Sequence, residues 1–345
     1  MSNRTNIASR RETTLPLLAL TMGDVNGVGP EILVKALANA EFREYCDVVV
    51  LGSVEAYCTA QLEVGGGLDP VEVESMEEAS ALREGIAVFE CNTSPPIRRP
   101  GVLDAEAGRA AMEWLEVAVE YAITGYLSGI VTCPINKEGI RLAGYEACGH
   151  TDYIAKRTNT SEYRMCLFTD TMRIVHISGH VSLRRALDQV TKTRIVDSIR
   201  MGHDAMTRLG LKRKRIAVAG LNPHASEAGR FGDEERREIA PAIEVCRAEG
   251  IACSGPYPAD TVFKRMRDGE FDMVVAMYHD QGHIPLKLIA MDEGVNVTLG
   301  IPIVRTSVDH GTAFDIAGKG TAREHSLIAA MRLAARLCQL AVRIS

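Results

Sequence analysis

The sequence predicts an α/β protein, a parallel or mixed sheet with helices on its faces, and three observations carry that reading. Short apolar runs alternate with longer amphipathic stretches, as where "CDVVVLG" is followed by "VEAYCTAQL", the pattern of strand and crossover-helix units. The chain has 345 residues, more than one core usually supports, so two domains or one large α/β unit with a cleft is expected. Apolar residues make up 46% and charged residues 24%, enough for a sizeable core under an ordinary solvated surface.

Residues 1–14 read as a disordered arm. The twin arginines of "SRRETTLPLLAL" resemble the start of an export signal, but the apolar run is short and no small-residue cleavage site follows. "LPLLALTM" is the first strand and "PEILVKALANA" the first helix, joined by "TMGDVNGVGPE". There Pro30 suits the first helical position, and the close-spaced glycines permit positive φ or a close backbone approach to a ligand. The spacing is not G-x-G-x-x-G, so the usual dinucleotide fingerprint is absent. Between Asp104 and Gly125, Ala110, Met112, Leu115, Ala118, Val119 and Ala122 recur at helical spacing and predict one crossover helix. "SGIVTC" with "NKEGIRLAG" repeats the strand-helix unit. Further strands are expected at "RIVHIS", "RIAVAGL", "DMVVAMY" and "VNVTLG", and a closing helix over Thr321 to Ile344.

The formal net charge of −6 argues against nucleic acid as a partner, since backbone phosphates need a basic face. Nine cysteines without a C-x-x-C pair fit reduced thiols in a cytoplasmic protein rather than a disulfide framework or zinc ribbon. No run reaches membrane-spanning length.

Three segments share one design. "RIVHISGH" ends at His180, "RIAVAGLNPH" at His224 and "DMVVAMYH" at His279. Each is a hydrophobic strand followed closely by a histidine, and ligands of open α/β sheets bind beyond the carboxyl ends of parallel strands. Three imidazoles converging there would hold a divalent cation with coordination positions left open for substrate oxygens. His176, inside a strand, and His203, inside a predicted helix, read as structural, and His325 carries no functional signal. "GHTDYIA" contains a helix start with Thr151 as capping hydroxyl and Asp152 in the first turn, a ready site for an anion, with His150 beside it. Lys287, Asn296 and Arg305 follow in "PLKL", "GVNVTLG" and "PIVRTSVDHG". Cations flanked by apolar residues on strands are costly to bury unpaired, and an anionic substrate would supply the partner.

Together these stretches resemble the 4-hydroxythreonine-4-phosphate dehydrogenase family, closest in motif to its branch acting on 4-phosphorylated four-carbon sugar acids. The resemblance rests on "GDVNGVGPEI", "CPINKEGI", "GHTDYIA", "GLNPHASEAGRFGDEE", "GPYPADTVF", "AMYHDQGHIPLKL" and "VNVTLGIPIVRTSVDHGTAFDIAGKG", nearly the whole chain. It implies a fold like isopropylmalate and isocitrate dehydrogenases, non-Rossmann, with two α/β/α subdomains flanking a cleft. Residues 15–147 plus 306–345 would form the first and 148–305 the second, which carries the metal and substrate site. A homodimer would complete each active site. The family's metal ligands fall on His180, His224 and His279, and its substrate-binding positions on His150, Thr151, Lys287, Asn296 and Arg305. "DHGTAFDIAGKG" resembles the loop that holds the adenosine half of NAD, with His310, Gly311, Thr312 and Asp315 as cofactor contacts.

The implied chemistry is NAD-dependent oxidation of a C3 hydroxyl and loss of carbon dioxide. One divalent metal ion per site, whether zinc, cobalt, nickel, manganese or magnesium, would activate the hydroxyl. Lys137, Asp260 and Asp280 are the candidates for general base. "GDVNG" and "HIPLKL" point to 4-phospho-D-threonate or D-erythronate 4-phosphate as substrate. 4-Phosphooxy-L-threonine, of vitamin B6 synthesis, comes next and a carboxylated cis-dihydrodiol third. The rival classes are a metal-dependent hydrolase and a non-enzymatic binding protein for phosphorylated metabolites.

Overall fold

The computed structural model describes residues 15–38, 40–91, 96–146, 149–290 and 293–339, so the arm expected over 1–14 lies outside the described residues. The chain opens with β1 (Leu17–Thr21), α1 (Gly29–Ala36), β2 (Asp47–Leu51), α2 (Val54–Val64), β3 (Pro70–Glu72), α3 (Met76–Ala81), β4 (Ile86–Phe89), α4 (Ala105–Ile123), β5 (Gly129–Thr132) and α5 (Lys137–Leu142). It continues through α6 (His150–Arg157), β6 (Arg164–Phe168), β7 (Arg173–His176), α7 (Leu183–Asp188), α8 (Lys192–Arg208), β8 (Ile216–Ala219), α9 (Ala240–Ala248) and β9 (Cys253–Tyr257). It closes with α10 (Ala259–Arg267), β10 (Met273–Ala276), α11 (His279–Ala290), β11 (Val295–Leu299), β12 (Val304–Val308) and α12 (His325–Gln339).

All twelve of these strands belong to one sheet, in the order β3-β4-β2-β1-β5-β12-β11-β6-β7-β10-β8-β9. The first six run parallel to one another, as do the last four. Between the blocks, β11 is antiparallel to both β12 and β6, and β6 is antiparallel to β7. Each step reverses direction, so the two parallel blocks run opposite ways across a continuous sheet. β5, β8 and β10 are buried at every position, which is why they read in the sequence as unbroken apolar runs.

The helices form for local reasons that the sequence shows. α4 starts where the Asp104 side chain accepts from the Glu106 amide, and its apolar stripe, with Trp114 and Leu115, is buried. That is the cap and amphipathic face expected of a crossover helix. α10 and α11 cover one face of the second parallel block, where Phe263, Met266 and Leu286 pack on Ile174, Ala217 and Val274 in a core separate from the larger one. The expectation that Lys287 lies on a strand is corrected: it lies on α11. Thr151 does not cap α6, which begins at His150 without a side-chain cap; its hydroxyl is turned to other use below. No helix of the described residues is long and apolar enough to cross a membrane. The eight cysteines among the described residues are all free.

Candidate active site

The middle strands floor a cleft of about 590 Å³. Pairing places Thr132, Ser307 and Asn296 side by side on β5, β12 and β11, with Arg305 and Thr298 two residues along on the same face. Alternation along each strand turns these side chains into one cavity, and His176, at the end of β7, and Met165 of β6 complete the floor. Lys137, His150, Thr151, His180, His310 and Gly311 line its walls.

Arg305 is only 5% exposed. Its guanidinium donates to the hydroxyls of Thr132 at 2.7 Å, Thr298 at 3.3 Å and Thr151 at 3.4 Å, while its Nε has no partner. No carboxylate among the described residues pairs with it, and burial pulls its pKa down to about 10. A buried cation lacking a counter-ion is costly, so the arrangement is complementary to an anion in the cleft. His150 adds a second unpartnered buried atom, Nε2, and burial together with the Arg305 charge holds this imidazole neutral.

Lys287 reaches the cleft edge by another route. Its ammonium pairs with Asp309 at 2.9 Å, and the other Asp309 oxygen accepts from the Asn296 amide at 2.9 Å. Asp309 therefore ties two of the expected substrate residues together, a role the sequence reading left unassigned although the residue ends the β12 motif.

The strands leading to His180, His279 and His224 are β7, β10 and β8, three parallel neighbours. His180 and His279 come together, with ring centroids 5.2 Å apart. Burial, then the neighbouring His279 and Lys137, lower the His180 pKa and favour the neutral imidazole a metal requires. His279 Nδ1 lies 2.7 Å from Asp280; donation to that carboxylate leaves Nε2 bare and able to accept a hydrogen bond or ligate a cation. Asp280 thereby orients His279. Among the described residues no three His, Cys, Asp or Glu groups are placed to hold a metal ion. One chain brings two imidazoles together, His180 and His279.

His224 is exposed, and its ring neighbour is Phe231 at 6.4 Å. It opens a run of five residues, His224 to Ala228, whose φ values are 53°, 51°, 72°, 44° and 60°. Left-handed backbone costs roughly 1–2 kcal/mol per non-glycine residue, and such strain concentrates at functional sites. The buried Glu235 carboxylate anchors the entry by accepting from the amides of Leu221 at 2.8 Å and Asn222 at 2.7 Å. Ser226 donates to the Gly232 carbonyl across the turn. Asp260 sits exposed in the first turn of α10 and does not line the cleft of its own chain.

Two further histidines lie behind these. His283 stacks on His279, with centroids 3.7 Å apart and planes 11° from parallel, and meets His176 at 3.1 Å. Burial lowers them to about 4 and about 3 respectively. Sequence alone marks His176 as structural and gives no signal for His283; only the tertiary pairing reveals them.

The "GDVNGVGPE" glycines serve the chain itself. A Cβ on Gly23 would lie 2.3 Å from the Pro134 carbonyl, and one on Gly27 would lie 2.9 Å from Thr312. The Val28 amide donates to the Thr312 carbonyl at 3.0 Å, and Glu31 accepts from the Gly318 amide at 2.5 Å. Lys35 donates to the carbonyls of Gly320 and Ala322, each at 2.7 Å. The 309–320 loop, with Asp315 in it, is thus clamped onto α1 while its first residues, His310 and Gly311, face the cleft.

The fold and site together define an α/β protein of one twelve-stranded sheet whose reversal point floors a cleft lined by Arg305, Lys137 and several imidazoles. The chain belongs to the family described as pyridoxal phosphate biosynthetic protein PdxA, which matches residues 44–334. It is 43% identical over 324 residues to D-threonate 4-phosphate dehydrogenase of Cupriavidus necator, covering 94% of this chain and 97% of that one. It is 44% identical to 4-hydroxythreonine-4-phosphate dehydrogenase of Desulfosudis oleivorans, covering 92% and 95%. A solved 4-hydroxythreonine-4-phosphate dehydrogenase from Klebsiella pneumoniae matches with a TM-score of 0.86 at 41% identity, covering 95% of this chain and all of that one.

Proposed function

We propose that this protein is an NAD-dependent, divalent-metal-dependent dehydrogenase that oxidises and decarboxylates a 4-phosphorylated four-carbon hydroxy acid, D-threonate 4-phosphate or D-erythronate 4-phosphate. The observation that carries the reading is Arg305: a buried guanidinium without an acid among the described residues, opening onto a cleft beside neutral His180. Relatives similar to this chain along nearly their whole length bear dehydrogenase names.

Arg305 and the Thr132, Thr151 and Thr298 hydroxyls hold one anionic end of the substrate. Lys287, released from Asp309, meets another. His180 and His279 of one chain, with His224 of a second copy, hold the metal, which supplies Lewis-acid activation of the substrate hydroxyl when bound. The strained turn presents His224 outward, and the apolar residues Leu183 and Leu187 of α7 and Ile284 and Leu288 of α11 are exposed. A partner copy would cover them, making a homodimer with shared active sites. His310 and Gly311 border the NAD nicotinamide, with the adenosine half on the clamped loop near Thr312 and Asp315. Lys137 is the cleft-lining amine placed to transfer the proton that oxidation and enolate collapse require. Asp280 is engaged with His279, and Asp260 of one chain lies off the cleft, so Lys137 is preferred for this role.

The test is NADH formation by metal-reconstituted protein with 4-phospho-D-threonate, D-erythronate 4-phosphate and 4-phosphooxy-L-threonine in parallel, with a chelator control. Chelator-sensitive turnover of the sugar acids is expected. Preference for the amino acid would move the enzyme to vitamin B6 synthesis, and release of inorganic phosphate without NADH would indicate a hydrolase.

A further inference from the structure

His279, His283 and Lys287 recur every fourth residue on α11, which places them on one face of that helix. The outer two are the proposed metal ligand and the proposed anion contact. His283 lies between them, 6% exposed, and the hydrogen bonding behind it fixes which of its nitrogens carries hydrogen.

The Met165 carbonyl lies 3.1 Å from His176 Nδ1. A carbonyl can only accept, so Nδ1 of His176 bears the proton, and a neutral imidazole then has a bare Nε2. That nitrogen is 3.1 Å from His283 Nδ1, a contact that needs one donor, so His283 Nδ1 carries hydrogen. The same N–H also points at the His279 carbonyl at 3.3 Å. His283 Nε2 is therefore an unprotonated acceptor, and it makes no hydrogen bond to any described residue. Gly282 is part of the device, because a Cβ there would lie 2.5 Å from His176 Nε2.

We propose that His283 is a further specificity-determining residue whose bare Nε2 accepts a hydrogen bond from the hydroxyl or amine on the substrate carbon next to the one oxidised, with His176 as its positioning residue. Phosphate and carboxylate groups cannot satisfy it, since an acceptor needs a donor. The inference rests on the function proposed above for the identity of the ligand.

The experiment is calorimetric binding to the purified metal-loaded full chain without NAD, so that it does not depend on turnover. The ligands are 4-phospho-D-threonate, 4-phosphooxy-L-threonine and the 2-deoxy analogue 3-hydroxy-4-phosphobutanoate. The wild type should bind the threonate about tenfold more tightly than the deoxy compound, the size of one net hydrogen bond. His283→Leu should erase that ratio. An amine bound as well as the hydroxyl identifies a site that accepts either donor; hydroxyl preference identifies the sugar acid. A ratio that survives His283→Leu, no discrimination by the wild type, or no binding of any of the three overturns the proposal. Nitrogen-15 NMR of histidine-labelled protein reads the tautomer directly, which covers a His283→Leu chain that does not fold. A bare His283 Nε2 in the wild type, becoming mixed in His176→Leu, is expected, and a protonated Nε2 in the wild type overturns the assignment. Failure of NADH formation with this binding pattern intact would sink the proposed reaction and not this contact.

Discussion

At Arg305 the free protein bears a desolvation cost that an anion in the cleft would relieve. Hydroxyls satisfy three of its contacts, yet its charge has no acid partner among the described residues. Arg305→Met is therefore expected to weaken binding of a phosphorylated acid by ~2–3 kcal/mol, the size of lost charge-assisted hydrogen bonds. Thermal stability should hold or rise, because replacing a buried ion with an apolar side chain is often neutral or favourable. Calorimetry and a melting curve on the same sample check both signs; a large fall in stability would count against an anion site. Asp24 gives a second residue-scale prediction. Its side chain is fully buried, Oδ2 has no partner, and burial raises its pKa from 3.8 to about 6. The folded value lies above the unfolded one, so the folded state keeps a proton that the unfolded chain releases. The stability this contributes is complete below pH ~4 and lost as pH rises through ~6, leaving a cost of order 3 kcal/mol above that. Asp24→Asn should melt higher than the wild type above pH ~7, and the gap should close towards pH ~4.

At the scale of elements, what the sequence made legible follows burial. β5, β8 and β10 are buried throughout and show as apolar runs, and α4 shows by its stripe. β6 gives no unbroken apolar run because it carries Arg164, whose long side chain is buried by its hydrogen bond to Ser198 rather than by apolar packing, whereas β12 agrees with the strand expected to bear Arg305. α11 was hidden by Gly282 and Pro285, residues that argue against a helix. Burial of Leu286 overrides that signal, and Gly282 is required by the His176 ring pressed against it. The His180 and His279 pairing was visible in advance as a strand-end pattern, whereas the left-handed turn at His224 was not, since five non-glycine residues in that conformation have no propensity signature. The strain makes a prediction. Ala225, with φ 51°, should gain stability as Ala225→Gly by roughly 1 kcal/mol, because glycine adopts that backbone freely. Glu235→Ala, which removes the acceptor of two turn amides, should instead lower it. Denaturant midpoints measure both, and a Gly variant no more stable than the wild type would mean that the turn relaxes in solution.

For the whole molecule, the sheet's reversal decides where the site can be. Because the two parallel blocks run opposite ways, β7 and β10 deliver His180 and His279 at one edge while β12 delivers Asp309 at the other, and α11 spans the distance from His279 to Lys287 across the face between them. β8 delivers His224 to the same edge as its neighbours, but the turn that follows directs it to solvent, beside exposed Phe231. Leu288 on α11 is 81% exposed and Leu183 on α7 is 60% exposed, apolar surface that the proposed second copy would bury. If His224 acts across that interface, mixing two inactive proteins restores function. His180→Ala and His224→Ala chains are each expected to be inactive alone. In a mixed dimer one site combines both substitutions and the other combines both native histidines. After random exchange half the dimers are mixed, so about a quarter of wild-type activity should return, as a two-fold shared site requires. Light scattering should show Leu288→Glu as a monomer, with metal affinity reduced because one imidazole is missing. No recovery on mixing, from chains shown to exchange, would place all the metal ligands within one chain and require His224 to swing inward from its strained turn.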